Sequence, residues 1–417
     1  MSSVSADNNL KGKIPPEAGL LEAVRHLSLY DNSISGNIPD SFRYLNEIQV
    51  LILENNDMDG TIPTFIQTEM SKLVILSLGI NDFSGTIPDF SGMDSLQQIA
   101  LDDNDLEGDI DMFDETYSLE VLLLNNNNLD GEFYRDFLKV IPIVHMDISH
   151  NYITGQIPPD FYDVEYLAAH NNLLSGHVPP IIFGPDYDYG IKFLSLHGNK
   201  DIKEEIPHNI GLLKKLEFLD LSGCGITGSI PEHVNLLSNL EYLYLGDNDF
   251  DQQSFPFVGD LTKLKELSLR GSNIVDAIPR YLGRDLTDLV LLDLSNNALN
   301  QAIPQDFSFL INLRFLMLNN NKLEGNIPDE LWALRDLEML LVDHNEHLSG
   351  SIGDVCNSDG PPELDFVYAD CSLECSCCTD CCDDNDDECG IQSSPNLNAG
   401  FERSNYHFSD DLSFGHL

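Results

Sequence analysis

Leucines along this chain alternate with polar residues in short runs, and each run closes on an asparagine. The stretch from Leu313 to Leu331, LRFLMLNNNKLEGNIPDEL, is one such unit. Leu316 and Leu318 are spaced at the period of a strand, so both point to one face. Asn321 marks the turn out of the strand, followed by Leu323, Gly325 and the pair Ile327-Pro328. The same order recurs with its asparagine at Asn8, Asn32, Asn56, Asn81, Asn104, Asn127, Asn151, Asn172, Asn199, Asn248, Asn297, Asn321 and Asn345. Cys224 and Ser272 fill the two gaps in that column. The interval is about 24 residues, a solenoid period.

Each position has a physical task. The inward leucines of neighbouring coils stack into one core, and their strands pair in parallel. The asparagine amide satisfies backbone groups at a turn that no regular ladder reaches. Glycine allows a backbone conformation that a Cβ hinders, and proline fixes the following bend. A coil of this kind folds only against its neighbours. Gln252, Asp276 and Gln301 replace the usual glycine, so those coils are expected to turn differently. Cys224 reads as a small buried stand-in for asparagine and not as a reactive thiol.

The consensus L-x-L-x-x-N-x-L-x-G-x-I-P resembles the plant-type leucine-rich repeat over most of the chain. The resemblance implies an α/β solenoid, a right-handed superhelix of about 15 coils of ~24 residues, with a parallel β-sheet on its concave face. It further implies a receptor-like ectodomain that recognises a protein, peptide or glycan, with a signalling co-receptor as a second partner. Two alternatives come from other classes: a secreted inhibitor of a foreign hydrolase, similar to plant inhibitors of pectin-degrading enzymes, and an intracellular scaffold.

The ends depart from the repeat. Ser3 and Ser5 sit where two core leucines belong, which favours an incomplete start and accounts for the lack of a visible signal peptide. Residues 1–355 read as the solenoid, 356–389 as a cysteine-rich cap and 390–417 as a disordered tail. Leu364, Val367 and Ala369 match the core positions of one last coil. Around them lie Cys356, Cys371, Cys375, Cys377, Cys378, Cys381, Cys382 and Cys389. Disulfides of unassigned pairing are expected to staple a cap too small to hold by burial alone. Zinc on Cys378 and Cys381 with two further thiolates is the alternative. The cap resembles those of leucine-rich-repeat ectodomains from diatoms and related algae, which implies an exported or cell-surface protein. The lack of any N-x-S/T site weighs against that. The run Asp383–Glu388 reads as a solvated acidic stretch and not as a calcium loop.

The outward strand positions, two, four and six before each asparagine, are where a ligand would sit. The sixth-back column reads His145, Tyr166, Phe193, Phe218 and Tyr242 on consecutive coils. At a strand spacing of ~4.8 Å this makes a ring stripe roughly 20 Å long. His170, His197 and Tyr244 flank it, with Asp147, Asp220 and Asp247 around it. Large exposed aromatics are a hallmark of binding surfaces, so these residues form the candidate patch; rings that merely stack to cover the strand edges are the alternative. His150, His170 and His197 are placed to cluster at one end of the strands, as a pH-sensitive contact or a metal site. The segment Pro179–Phe193 lengthens one coil inside this zone and reads as a rim loop or a neutral insertion.

Charge narrows the partners. With 21 basic and 70 acidic residues the net charge is −49, which repels nucleic acid and anionic membranes and suits a basic, neutral or calcium-bridged ligand. No stretch approaches the ~20 apolar residues of a membrane helix. There is no kinase signature, no phosphate loop and no serine–histidine–acid set above what periodicity supplies. The chain reads as a non-enzyme without a cofactor.

Overall fold

A computed structural model describes residues 2–4, 8–113, 115–134, 141–158, 163–178, 190–352, 364, 366–371, 373, 375 and 378–382. The tail 390–417, the acidic run 383–388, residues 179–189 of the insertion, Ser5, Cys356, Cys377 and Cys389 lie outside these. The chain divides into two units, with the boundary between Asp201 and Ile202.

In the first unit each coil contributes a three-residue strand: Ser2–Val4, His26–Ser28, Val50–Ile52, Ile75–Ser77, Gln98–Ala100, Val121–Leu123, His145–Asp147, Tyr166–Ala168 and Phe193–Ser195. All pair in parallel without a slip, so Leu27, Leu51, Leu76, Ile99, Leu122, Met146, Leu167 and Leu194 lie side by side at the middle of their strands. These residues are buried. The alternation of the sequence demands this register, because a one-residue slip would turn every leucine outward. Ser3 pairs beside Leu27, in the core column where the sequence places a defect.

A second parallel ladder runs through the L-x-G segments, from Lys11–Gly12 through Ser33–Gly36, Asp57–Gly60, Asp82–Thr86 and Asp105–Gly108 to Asn128–Leu129. Its glycines take positive φ, for example +79° at Gly36 and +85° at Gly60, a region that side chains resist.

The second unit repeats the plan with strands Phe218–Asp220, Tyr242–Tyr244, Glu266–Ser268, Leu291–Asp293, Phe315–Met317, Met339–Leu341, Phe366–Asp370 and Asp380–Cys382. Two of the three coils without glycine turn differently. Gln252 and Asp276 avoid positive φ, and the second ladder there shrinks to single bridges, Gln253 to Ile274 and Ala277 to Asn300. Gln301 instead keeps φ at +63°, and strand pairing resumes with Lys322–Asn326.

The side opposite the main sheet carries one-turn helices. Among the described residues only Phe65–Glu69 and Tyr281–Asp285 are α-helical. The others, such as Asp40–Tyr44, Glu232–Leu236 and Asp329–Ala333, are 3₁₀ helices. Each of these three follows an extended proline, Pro39, Pro231 or Pro328, whose fixed φ sets the entry to the turn.

The asparagine ladder takes a uniform form. Asn127 Nδ2 donates to the carbonyls of Leu101, Leu124 and Asn125 at 2.9, 3.1 and 3.2 Å, and its Oδ1 accepts from Leu106 N at 3.0 Å. Where Cys224 and Ser272 break the column, the next asparagine compensates. Asn248 Oδ1 accepts from both Cys224 N and Ile226 N, at 2.9 and 3.1 Å. Asn297 Oδ1 does the same for Ser272 N and Ile274 N, at 3.1 and 3.0 Å. Cys224 is fully buried, as a structural stand-in requires.

The cap continues the sheet. Val367 and Ala369 are buried as expected, whereas Leu364 is only half-buried. The strand Asp380–Cys382, inside the cysteine cluster, pairs with Phe366–Asp370 and covers its edge. Asp370 ends the ladder by accepting from the backbone N–H groups of His344 and Asn345 at 2.6 and 2.9 Å. Cys375 and Cys378 form a disulfide. That corrects the zinc alternative, since a Cys378 sulfur spent in a disulfide is no thiolate ligand.

Candidate functional site

From the second coil on, the strand is left through a residue just before the asparagine position in the left-handed region, among them Asp103, Asn126, His150 and Asn171 with φ of 50° to 54°. That turn adds a further column, one before the asparagine, to those of strand alternation. In the first unit it completes the histidine cluster. His170 and His197 stack with ring centroids 4.3 Å apart, and His150 meets His170 edge-on at 5.0 Å. Asn171 lies among them, its Nδ2 at 3.2 Å from His150 Nε2, His170 Nδ1 and His197 Nε2 alike. An amide nitrogen has two hydrogens to donate, so three imidazoles share two bonds. Gly198 makes room, since a Cβ there would stand 2.4 Å from Asn171 Oδ1.

Beside the cluster runs a stack of rings. His145, Tyr166 and Phe193 lie in register on adjacent strands, with centroids 4.0 and 4.2 Å apart and planes within 11°. Burial pushes the His145 imidazole down to about 4, so it is neutral at ordinary pH. Asp147 accepts from Ser149 N and Oγ at 2.9 and 2.6 Å, and burial raises its carboxyl to about 6 against those bonds, with Asp103 adding repulsion. His150 is lowered by burial first and by His197 next, and Asp103 opposes both.

In the second unit Phe218 meets Tyr242 and Tyr244, each at 5.7 Å in tilted geometry. The Tyr244 hydroxyl donates to Glu266, whose carboxyl is raised by burial. Asp220 is fully buried and accepts from Ser222 N and Oγ at 2.9 and 2.6 Å. Lys265 reaches over the Tyr242 ring, 5.8 Å from its centroid.

The geometry corrects one expectation. The rings are not a row of large exposed aromatics: His145, Phe193, Phe218 and Tyr244 are 8%, 7%, 2% and 6% exposed. In-register strands bring like side chains within stacking distance, and ring covers ring. Tyr166, His170, His197, Tyr242 and Asp147 remain half-buried and form the accessible part. The expected row falls to two units, with His145, Tyr166 and Phe193 in one and Phe218 and Tyr242 in the other. Among the described residues no group of three or more His, Cys, Asp or Glu side chains is placed to hold a metal.

Three features escaped sequence reasoning. One is Asn171, in the column that left-handed turning adds. The second is the acidic set Glu54, Asp102 and Asp103, spread over coils that look unremarkable singly. The third is an apolar cluster of Leu291, Met317, Met339, Leu341 and Tyr368 on the strand face of the second unit. Aligning the outward columns would have exposed the apolar cluster and the pair Glu54 and Asp102, but not Asp103.

Comparisons with known proteins agree with this architecture. Leucine-rich repeat families match residues 23–45, 143–164, 215–237 and 262–323. Receptor-like protein EIX1 of Solanum lycopersicum is 32% identical over 134 residues, which are 31% of this chain and 12% of that protein. The Arabidopsis receptor kinase HAESA, solved with the peptide hormone IDA and the co-receptor SERK1, superposes with a TM-score of 0.75 at 30% identity, over 87% of this chain and 61% of that one. The ectodomain of GASSHO1/SCHENGEN3 from Arabidopsis thaliana, solved with CASPARIAN STRIP INTEGRITY FACTOR 2, gives 0.74 at 27% identity, over 89% and 47%. The chain spans about 12% to 20% of the length of the receptor-like proteins of tomato and Arabidopsis to which it is similar. No described helix is long and apolar enough to cross a membrane. In-register leucines, an asparagine ladder and these matches identify the chain as a plant-type leucine-rich repeat protein.

Proposed function

We propose that this chain is a non-catalytic recognition module, a receptor-like ectodomain that binds a peptide or protein ligand on its strand faces outside the cell. The half-buried edge of the ring stack, Tyr166 with His170 and His197, carries the reading. Rigid rings held in register offer contact area at little entropic cost, the character of binding hot spots. The similarity to ectodomains solved with peptide ligands supports the ligand class, and a co-receptor is the partner through which binding would signal. The Cys375–Cys378 disulfide supports an oxidising compartment.

The test uses a displayed random-peptide library and a panel of pectin-degrading hydrolases against the intact chain. Peptide binders that lose at least about tenfold in affinity on Tyr166→Ala with His170→Ala are expected. Binders indifferent to that pair and to Tyr242→Ala would remove the strand face from the account. Binding confined to hydrolases would make the chain an inhibitor instead.

A further inference from the structure

On the side opposite the sheet, two histidines of the second unit face each other across successive coils. His208 opens the one-turn helix His208–Leu212, and His233 is the second residue of Glu232–Leu236. Both helices are entered from an extended proline, Pro207 at φ −71° and ψ 142° and Pro231 at −72° and 144°, so the two turns start alike. Gly211 lets them close up, since a Cβ there would stand 2.7 Å from the backbone oxygen of His233. Stacking at that distance brings the imidazoles together. Nδ1 lies 3.2 Å from Nδ1, with ring centroids 4.9 Å apart and planes at 69°. His208 is exposed and His233 half-buried, so the pair is open to water.

As a hydrogen bond this contact gains little. One Nδ1 must donate and the other accept, and at an exposed site water offers each ring the same bond. Among the described residues neither imidazole bonds to any other group. The spacing suits a different use. Neutral imidazole nitrogen is the commonest protein ligand of transition metals. Two such nitrogens at about 2.0–2.1 Å from a zinc ion, at a tetrahedral angle, stand about 3.3–3.4 Å apart. The 3.2 Å between the two Nδ1 atoms is close to that. The outer torsion of a histidine is broad, so a turn of each ring brings both lone pairs onto one point. The hydrogen that one Nδ1 donates then passes through water to Nε2 of the same ring, and the pair stays neutral. Two donors leave the other coordination positions to water, which makes an open site and not a closed structural one.

From this juxtaposition we propose that His208 and His233 form a binding site for a divalent transition-metal ion of the zinc class, which clips two successive coils together on the side away from the strands. Imidazole suits zinc, copper and nickel, whereas calcium and magnesium demand oxygen ligands. A net charge of −49 gathers cations of every kind, so the selectivity comes from the two rings. The donors belong to different coils and meet only in the folded chain. Occupancy therefore stabilises the fold and raises its thermal midpoint. The site is independent of the strand face and of whatever binds there.

Zinc chloride titrated into the intact chain at neutral pH is the probe, with calcium and magnesium chlorides as controls. The ring signals of His208 and His233 in NMR spectra are expected to shift with zinc, while those of His150, His170 and His197 stay in place. The thermal midpoint should rise with zinc, return on chelation and ignore calcium and magnesium. His208→Ala and His233→Ala should each weaken zinc binding at least about tenfold and abolish the zinc-dependent rise. Both should leave the metal-free midpoint in place, since neither ring is buried. Zinc affinity that survives both substitutions would place the ion elsewhere, in the cap or around Asn171, and overturn the proposal. Half-saturation only above about 1 mM would overturn it, as would displacement of zinc by an equal concentration of calcium.

Discussion

At the scale of single residues, burial has moved protons in opposite senses within one unit. Asp102 titrates at about 7 in the folded chain, against about 3.9 unfolded. Its contribution to stability is complete below the unfolded value and is lost as pH rises through about 7. His145 titrates at about 4 folded, against about 6.5 unfolded. Its contribution is present above about 6.5 and is lost as pH falls through about 4. The two slopes oppose each other over one window and partly cancel in the native protein. Asp102→Asn should therefore stabilise the fold near pH 7 and not near pH 4, by about 1–2 kcal/mol once screening of this half-buried group is discounted. His145→Phe, which keeps a ring in the stack, should stabilise it near pH 4 and not near pH 7. Denaturant midpoints of both variants at the two pH values check the signs. At this scale the sequence was legible where strand alternation decides, which is how His145, Tyr166, Phe193 and His170 were found. Asn171 and Asp103 were not found: a left-handed residue turns its side chain out of the period of two, and of that column only His150 was placed in the cluster from the sequence. Burial of the rings was legible only as the alternative to an exposed patch, since it depends on what the neighbouring coil presents.

At the scale of the coil, two interactions hold each element to the next. The first is the asparagine ladder. Asn127→Ala removes a side chain that serves three carbonyls and one N–H. Stranding buried polar groups costs roughly 1–3 kcal/mol each, so a loss of about 3 kcal/mol is expected after partial rehydration. Because coils couple mainly to neighbours, amide exchange should accelerate most at Leu106, whose N–H loses its acceptor. Uniform acceleration across the first unit would contradict that locality. The second is close approach on the side opposite the sheet. A Cβ on Gly283, in the helix Tyr281–Asp285, would stand 2.2 Å from the backbone oxygen of Asp306. A backbone atom cannot swing aside, so Gly283→Ala should cost about 2 kcal/mol or more despite the usual helix preference for alanine. An unchanged denaturant midpoint would refute the contact. The coil plan was readable from the repeat because each letter answers a local need. The 3₁₀ character of the short helices was not, since five residues carry too little period to separate one helix type from another. Nor was the cap strand Asp380–Cys382, whose residues carry no strand pattern and which forms against a waiting sheet edge.

For the molecule as a whole, charge is the term that no single contact settles. Ion pairs join neighbouring coils at Lys72–Glu47, Lys192–Glu165, Lys265–Glu241 and Arg314–Glu338. Each is exposed or half-exposed and worth about 0–1 kcal/mol. With 21 cations against 70 acids, complete one-to-one pairing would still leave 49 carboxylates without a partner. Salt weakens the pairs and the repulsion together, and the sign of its effect reveals which is larger. Repulsion acts among many more groups and over longer distances, so it should dominate. Raising sodium chloride from about 0.01 to about 0.15 M shortens the screening length from about 30 to about 8 Å. The thermal midpoint should therefore rise, and most of the gain should appear below 0.15 M, whereas salting-out effects would keep growing at about 1 M. A midpoint that falls over the first interval would mean that the inter-coil pairs outweigh the surplus, and electrostatic steering of a basic partner would then lose its footing. The same titration should slow association of any basic ligand with little change in its dissociation, because long-range steering governs encounter and contact governs release.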